Sequence, residues 1–266
     1  MLETKPVGST DIAVSPIGLG TVKFGRNEKV HYPQSFPLPS DQQILTLLGR
    51  ARDLGINLLD TAPAYGSSEE RLGKLLKTQR QQWILATKVG EEFIDGLSHY
   101  DFSAEHIQKS IERSLTRLHT DYLDFVLIHS NGDDEKILAE GVAFAKLNEL
   151  KLAGKIRAFG MSTKTVAGGM QTIEQADIVM VTHNPVYVEE LSVITRAAQL
   201  KKGVFIKKAL ASGHLQKISA TDADPVEIAM NFIFQEPGVS SIILGTLNPE
   251  HLTHNVHHAA NALGLR

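Results

Sequence analysis

The sequence predicts an α/β fold of the (β/α)8 TIM-barrel class, one domain over residues 1–266 with an N-terminal β-hairpin closing the bottom of the barrel. Three observations carry that expectation. Eight short apolar runs recur along the chain, each followed by a helical pattern or by a loop where a helix could sit. Alternation of this kind implies a parallel sheet, because parallel neighbours need a crossover between them. Eight such units in 266 residues, 42% of them hydrophobic, fit a closed barrel better than an open doubly wound sheet.

Val7 and Ile12-Ala13-Val14 flank the turn formers Gly8-Ser9-Thr10-Asp11, which predicts the leading hairpin. Ile17-Gly18-Leu19-Gly20 is the first barrel strand and ends at Thr21; its glycines suit close backbone approach by a ligand. Residues 26–40 hold Pro33, Pro37 and Pro39 without any period, so they read as a long loop of the kind often given to function. Ser40 and Asp41 start a helix that reaches about Leu54. Residues 56–60 are the second strand, released by Gly55 and followed by a tight turn between Pro63 and Gly66. A helix near 69–77 comes next, then a third strand over 83–87 that ends at Lys88. Ser103 opens a helix whose apolar face is Ile107, Ile111, Leu115 and Leu118. The fourth strand, 122–128, is apolar from Leu123 onward except at Asp124, and ends at His129. One helix is expected over about 135–152, closing at Gly154. Strands over 156–161, 176–182, 204–206 and 240–244 complete the eight, with helices near 165–175, 189–200, 225–235 and 248–262. Asp224 and Pro225 are an N-cap and a first-turn proline for the third of those helices.

Composition closes several routes. A formal net charge of -3 gives no polyanion-binding signal, so no nucleic-acid or anionic-membrane partner is expected. The absence of cysteine removes disulfides, thiolate zinc sites and a cysteine nucleophile. Met1-Leu2-Glu3-Thr4-Lys5-Pro6 has no apolar leader pattern, and no apolar run reaches the roughly 18 residues of a spanning helix, so a cytoplasmic chain is expected. His251, His254 and His258 share one helix face without an acid among them, which reads as a solvated face and no metal site. Asp133-Asp134 reads as a solvated loop and helix start, and Trp83 as core. For His183 two readings stand, pocket lining and packing.

Chemistry concentrates at strand ends. Asp60, Lys88 and His129 end the second, third and fourth strands, and the 63–66 turn carries Tyr65 back over the second. In a barrel these ends are neighbours at the carboxyl rim, where catalysis is done. Taken singly, Asp60 also reads as a helix cap and Tyr65 as loop packing; the four together point to one cavity. Only Asp60 is an acid at a strand end, so a paired-carboxylate glycosidase is not expected.

The segments Asn57-Leu58-Leu59-Asp60-Thr61-Ala62-Pro63-Ala64-Tyr65-Gly66, Ala86-Thr87-Lys88-Val89-Gly90 and Leu127-Ile128-His129 resemble the catalytic segments of the aldo-keto reductase superfamily, in order and in spacing. The likeness runs from Ile17 to Asn255. It implies a nicotinamide cofactor lying across the barrel rim and hydride exchange with a small-molecule carbonyl or alcohol, without metal. The roles are physically consistent. A free phenol has a pKa of about 10, and a neighbouring ammonium favours its ionised form, a part for Lys88 beside Tyr65. Asp60 would hold Lys88 charged, and His129 would donate a hydrogen bond to the carbonyl oxygen.

The same resemblance implies the cofactor half. Gly20 and Thr21 end the first strand; Ser162 and Thr163 stand where the family holds the carboxamide, Thr163 in place of the usual Asn. Asn184 ends the sixth strand, and Lys207 falls where an aromatic commonly stacks on nicotinamide. Leu210 and Gly213 belong to the loop over the pyrophosphate. Gly245, Thr246, Asn248, His251 and Asn255 form the loop and helix start for the adenosine ribose. Many members place Lys and Arg there to pair the extra phosphate of NADP; with Gly245 and His251 instead, NADPH is expected and NADH stays open. Because the chain stops soon after the last helix, substrate selection would fall to the 26–40, 91–102 and 131–134 loops, giving an open pocket with broad selectivity in a monomer or weak homo-oligomer. Two rivals remain, a Schiff-base lyase using Lys88 or Lys207, and a non-catalytic nicotinamide-binding regulatory barrel.

Overall fold

The computed structural model describes residues 2–30, 32–219 and 223–265. Strands β1 (Lys5–Pro6) and β2 (Ala13–Val14) pair antiparallel as the leading hairpin. Its apolar residues Val7, Ile12 and Val14 pack on Leu58, Phe125, Ile178 and Phe205. Gly8 turns at φ +56, and a Cβ there would stand 2.7 Å from the Gly203 nitrogen. These partners lie toward the amino ends of their strands, so the hairpin plugs the bottom of the barrel.

The barrel strands are β3 (Ile17–Gly20), β4 (Leu58–Asp60) and β5 (Ile84–Val89), then, after an inserted hairpin of β6 (Glu91–Ile94) and β7 (Leu97–Tyr100), β8 (Leu123–His129), β9 (Ile156–Ser162), β10 (Ile178–Thr182), β11 (Gly203–Lys207) and β12 (Ser241–Leu244). Neighbours in the barrel are parallel, and β12 closes on β3 with Ile242 opposite Ile17. Strands buried on both faces explain the unbroken apolar runs. Along β8, Phe125 and Leu127 fill the barrel interior, while Val126 and Ile128 meet the helices outside.

The helices are α1 (Val22–Gly25), α2 (Asp41–Asp53), α3 (Ser68–Leu76), α4 (Ala104–Leu118), α5 (Asp134–Glu140), α6 (Val142–Leu152), α7 (Val166–Gln175), α8 (Leu191–Gln199), α9 (Pro225–Phe234) and α10 (Pro249–Ala262). Ser40 and Gln43 form a reciprocal capping box on α2, and Ser103, Thr165, Asp224 and Asn248 cap α4, α7, α9 and α10.

Three expectations are corrected. The single helix over 135–152 is two, parted at Gly141, whose φ of +67 no continuing helix accepts. The 91–102 segment is the β6–β7 hairpin, turning through Asp95 and Gly96 at positive φ, a pair that suits such a turn. Asp134 is fully buried rather than solvated: its Oδ2 accepts from the Lys164 and Thr165 amides, both at 2.7 Å.

Candidate active site

Lys88 is 2% exposed at the carboxyl end of β5. Its ammonium donates to Asp60 Oδ1 and Oδ2 at 2.7 and 2.8 Å and to the Thr61 carbonyl at 2.9 Å. Asp60 ends β4, the strand paired with β5, so the barrel register itself delivers the two charges to each other. Burial pulls the Lys88 pKa down, but Asp60 and then Tyr65 outweigh it and hold it above its ordinary value.

Tyr65 sits at the end of a one-turn 3-10 helix, Pro63–Tyr65, directly after β4. Pro63 starts this turn, and Gly66 ends it at φ +60 with its Cα so near Gly25 that a Cβ would strike the Gly25 carbonyl at 2.2 Å. The Lys88 Nζ lies 4.7 Å from the phenol ring centre, and the ring meets His129 edge to face with centroids 6.2 Å apart. Burial pushes the phenol pKa up; Lys88 pulls it back by charge and hydrogen bond, and the balance stays above the usual value. Lys88 thus favours the ionised phenol by charge and hydrogen bond, and burial outweighs it.

His129 ends β8 and has a partner that sequence reading missed. Its Nδ1 lies 2.6 Å from Glu91 Oε2, on the first residue of β6. The Glu91 Oε1 accepts from Ser98 Oγ at 2.6 Å across the hairpin. Burial works against the Glu91 charge, but His129, Ser98 and Arg26 together take its pKa to about 2. Burial lowers the His129 pKa, with Lys88 and Lys207 adding to that and Glu91 opposing. The available signal was Asp95-Gly96 between apolar residues, a hairpin pattern that would have placed Glu91 against the rim.

A cleft of about 1620 Å³ opens over these four residues and runs across the rim to the start of α10. Of the expected cofactor residues, Gly20, Ser162, Lys207, Leu210, Gly213, Gly245, Thr246, His251 and Asn255 line it. Four do not. Thr21 is buried, its hydroxyl donating to the Asp60 carbonyl at 2.9 Å. Thr163 and Asn184 face a separate side pocket, and the Asn184 amide is spent on the Lys208 carbonyl at 2.9 Å and the Val186 amide at 3.0 Å. Asn248 turns its side chain onto the Glu250 and His251 amides as the α10 cap.

Lys207 donates to Ser162 Oγ at 2.9 Å and to the Thr163 carbonyl at 2.5 Å. Burial brings its pKa to about 8, resisted by Glu190. Glu190 was also missed; it is buried, with the Thr182 amide 2.8 Å from its Oε2. Nothing in the sequence separated it from the exposed Glu189 beside it. The 26–40 loop reaches over the cleft: a Cβ on Gly245 would stand 2.6 Å from the Tyr32 hydroxyl, and one on Gly213 would stand 3.3 Å from Pro33. Lys23 lies under the Tyr32 ring at 3.9 Å, and burial raises the Tyr32 pKa to about 12. Of the three loops expected to select substrate, 26–40 and 91–102 line the cleft and 131–134 does not.

The histidine readings divide. His183 is packed, stacking on Phe232 at 4.9 Å with neither ring nitrogen hydrogen-bonded among the described residues. His254 and His258 do have an acid, from another element: their Nε2 atoms lie 2.8 and 3.3 Å from Asp224 Oδ2. The three donor atoms lie within 4.8 Å of one another and tie the first turn of α9 to α10.

Comparison with known proteins agrees with this geometry. The family model described as Aldo/keto reductase family matches residues 16–226. A crystal structure from Pseudomonas aeruginosa, described as that of an aldo-keto reductase, superposes with a TM-score of 0.88 at 50% identity, covering 98% of this chain and 96% of that one. The Bacillus subtilis oxidoreductase YqkF is 28% identical over 98% of this chain and 92% of its own length. The NADH-specific methylglyoxal reductase of Escherichia coli is 35% identical over 58% of this chain, a match spanning 50% of that relative.

Proposed function

The chain belongs to the aldo/keto reductase family and is an oxidoreductase, and from that premise we propose that it reduces aldehyde or ketone carbonyls to alcohols with Tyr65 as general acid and a nicotinamide as hydride source. The observation that carries this reading is the wiring of Lys88, held by both oxygens of Asp60 and acting by charge and hydrogen bond on Tyr65 at an open cleft. The residues along the cleft suit a dinucleotide: Ser162 and Asn255 offer hydrogen-bonding groups, Lys207 and Lys208 are cations for a pyrophosphate, and Gly213 and Gly245 leave room that any side chain would fill. Bound there, the nicotinamide supplies the hydride to the carbonyl carbon.

The protein's work is then at the oxygen. As the carbon–oxygen double bond is reduced, charge grows on oxygen, and the Tyr65 hydroxyl gives it a proton. The phenolate left behind is stabilised by Lys88, whose own charge Asp60 secures. His129 presents its remaining nitrogen to the same oxygen and fixes the substrate's direction of approach. In the reverse direction the same groups take the proton from an alcohol.

NADPH is the cofactor we assign, and NADH is the alternative that Gly245 and His251 leave room for, since neither is a permanent cation for an extra phosphate. The ratio of kcat/KM with the two decides between them. A lyase reading keeps one supporting observation, the buried Lys207 amine with a pKa near 8; borohydride trapping of a substrate adduct would favour it. The direct test of the reductase is Tyr65→Phe. Turnover of aldehydes should fall by about a hundredfold or more, with cofactor affinity unchanged by fluorescence titration. Near wild-type turnover in that variant would remove Tyr65 from the role.

A further inference from the structure

Glu91 is 7% exposed and touches His129, a rim residue whose protonation state decides whether it donates or accepts. An ionised carboxylate only accepts hydrogen bonds. Its Oε2, 2.6 Å from His129 Nδ1, therefore requires a proton on that nitrogen. A neutral imidazole carries a single N–H. The His129 Nδ1 is buried, while the side chain keeps 22% of its surface on the cleft, so the nitrogen that faces a substrate is Nε2.

We propose that Glu91 is a positioning residue that fixes the tautomer of His129, so that Nε2 is a bare acceptor in the neutral ring and a donor only in the protonated ring. This rests on the reductase reading of the site. The two ring states then serve two ligands. The protonated ring donates to a carbonyl oxygen; the neutral ring accepts from a hydroxyl, as an alcohol or a hydroxy-carbonyl compound presents. Lys88 and Lys207 face His129 and oppose its protonation, as does burial, and Glu91 favours it; the Tyr65 ring meets it edge on. Glu91 is itself faced by Arg26, Ser98 and Tyr100. With the balance toward the neutral ring, the rim at neutral pH is set to receive a hydroxyl. Reduction gains, and alcohol oxidation falls, as pH drops through the His129 titration.

Long-range proton–nitrogen NMR spectra of the imidazoles in the full chain test this without any substrate, the His129 signals being identified by their loss in His129→Asn. Wild type should show the Nδ1–H tautomer at pH 7.5. Glu91→Gln can turn its amide N–H toward Nδ1, so the ring should shift to the Nε2–H form and its pKa should fall. Ser98→Ala loosens the hairpin but keeps the carboxylate, and should retain the wild-type tautomer. In kinetics, Glu91→Gln should lose roughly tenfold to a hundredfold in kcat/KM for alcohol oxidation at neutral pH, where Nε2 can no longer accept from the hydroxyl. Reduction is retained, because the new Nε2–H donates to the carbonyl and no longer depends on protonation of His129, with cofactor affinity unchanged. An Nε2–H tautomer in wild type, an unchanged tautomer in Glu91→Gln, or equal loss in Ser98→Ala would overturn the proposal. An inactive wild type with the tautomer as described would instead count against the reductase reading, not against the role of Glu91.

Discussion

Lys88 keeps its charge in an interior that would otherwise strip it, because both Asp60 oxygens and the Thr61 carbonyl surround the ammonium. Removing one partner strands the other. Asp60→Asn should therefore cost about 3–5 kcal/mol in urea unfolding, and the paired change Asp60→Leu with Lys88→Met should cost less than the single one. Glu91 gives a pH signature of its own. Its pKa in the folded chain is about 2, below the ordinary 4.5, so its contribution to stability is full above about pH 5 and is lost as pH falls toward 2. The urea-midpoint difference between wild type and Glu91→Gln should be constant above that window and close within it; a difference that grew on acidification would contradict the assignment. Asp60, Lys88 and His129 were legible in the sequence because each stands at the polar end of a largely apolar strand, and Tyr65 because the Pro63–Gly66 turn follows Asp60 directly. Glu91, Glu69 and Glu190 were not, since their burial depends on partners 38, 18 and 8 residues away, Glu91 on His129, Glu69 on Thr87 and Glu190 on Thr182.

At the scale of elements, local rules located strands and caps but misplaced two breaks. Residues 135–152 read as one helix because Ile137, Leu138, Phe144 and Leu147 keep a helical period through Gly141, and all four are buried as that period requires. A glycine inside such a pattern is tolerated by helices and demanded by left-handed turns, and periodicity does not distinguish the two. At φ +67 it is the turn. Open space surrounds the position where a Cβ would stand, so Gly141→Ala isolates the backbone cost. About 1 kcal/mol of destabilisation is expected in urea unfolding, with kinetics unchanged, because the break lies outside the cleft. If α5 and α6 could fuse in solution, the same substitution would stabilise instead. The β6–β7 hairpin escaped notice for a related reason: its exposed strand, Leu97–Tyr100, shows no alternation of burial to read.

Across the whole molecule, strand register brings Asp60, Lys88 and His129 to one rim and the turn after β4 adds Tyr65, whereas most of the residues expected to hold a cofactor lie on loops meeting over the rim. That difference explains why the four residues proposed for acid–base work all line the cleft and four of the thirteen expected cofactor residues do not. Strand ends inherit their direction from the sheet; Asn184 and Asn248 lie in turns whose own amides claim their side chains first. Across the cleft Tyr32 stands against Gly245, where the missing side chain leaves the phenol its place. Gly245→Ala would put a methyl group 2.6 Å from the Tyr32 hydroxyl and 3.8 Å from the ring carbon that bears it. The ring must swing out, lifting the 26–40 loop from the cleft. Overpacking of this size costs about 1–3 kcal/mol, so cofactor dissociation, followed by stopped-flow fluorescence, should quicken roughly tenfold. Tyr32→Phe deletes the colliding oxygen and leaves the ring at ordinary contact distance, so adding it to Gly245→Ala should recover most of the lost residence time. Additive effects of the two substitutions would mean that the loop does not hold the cofactor through this contact.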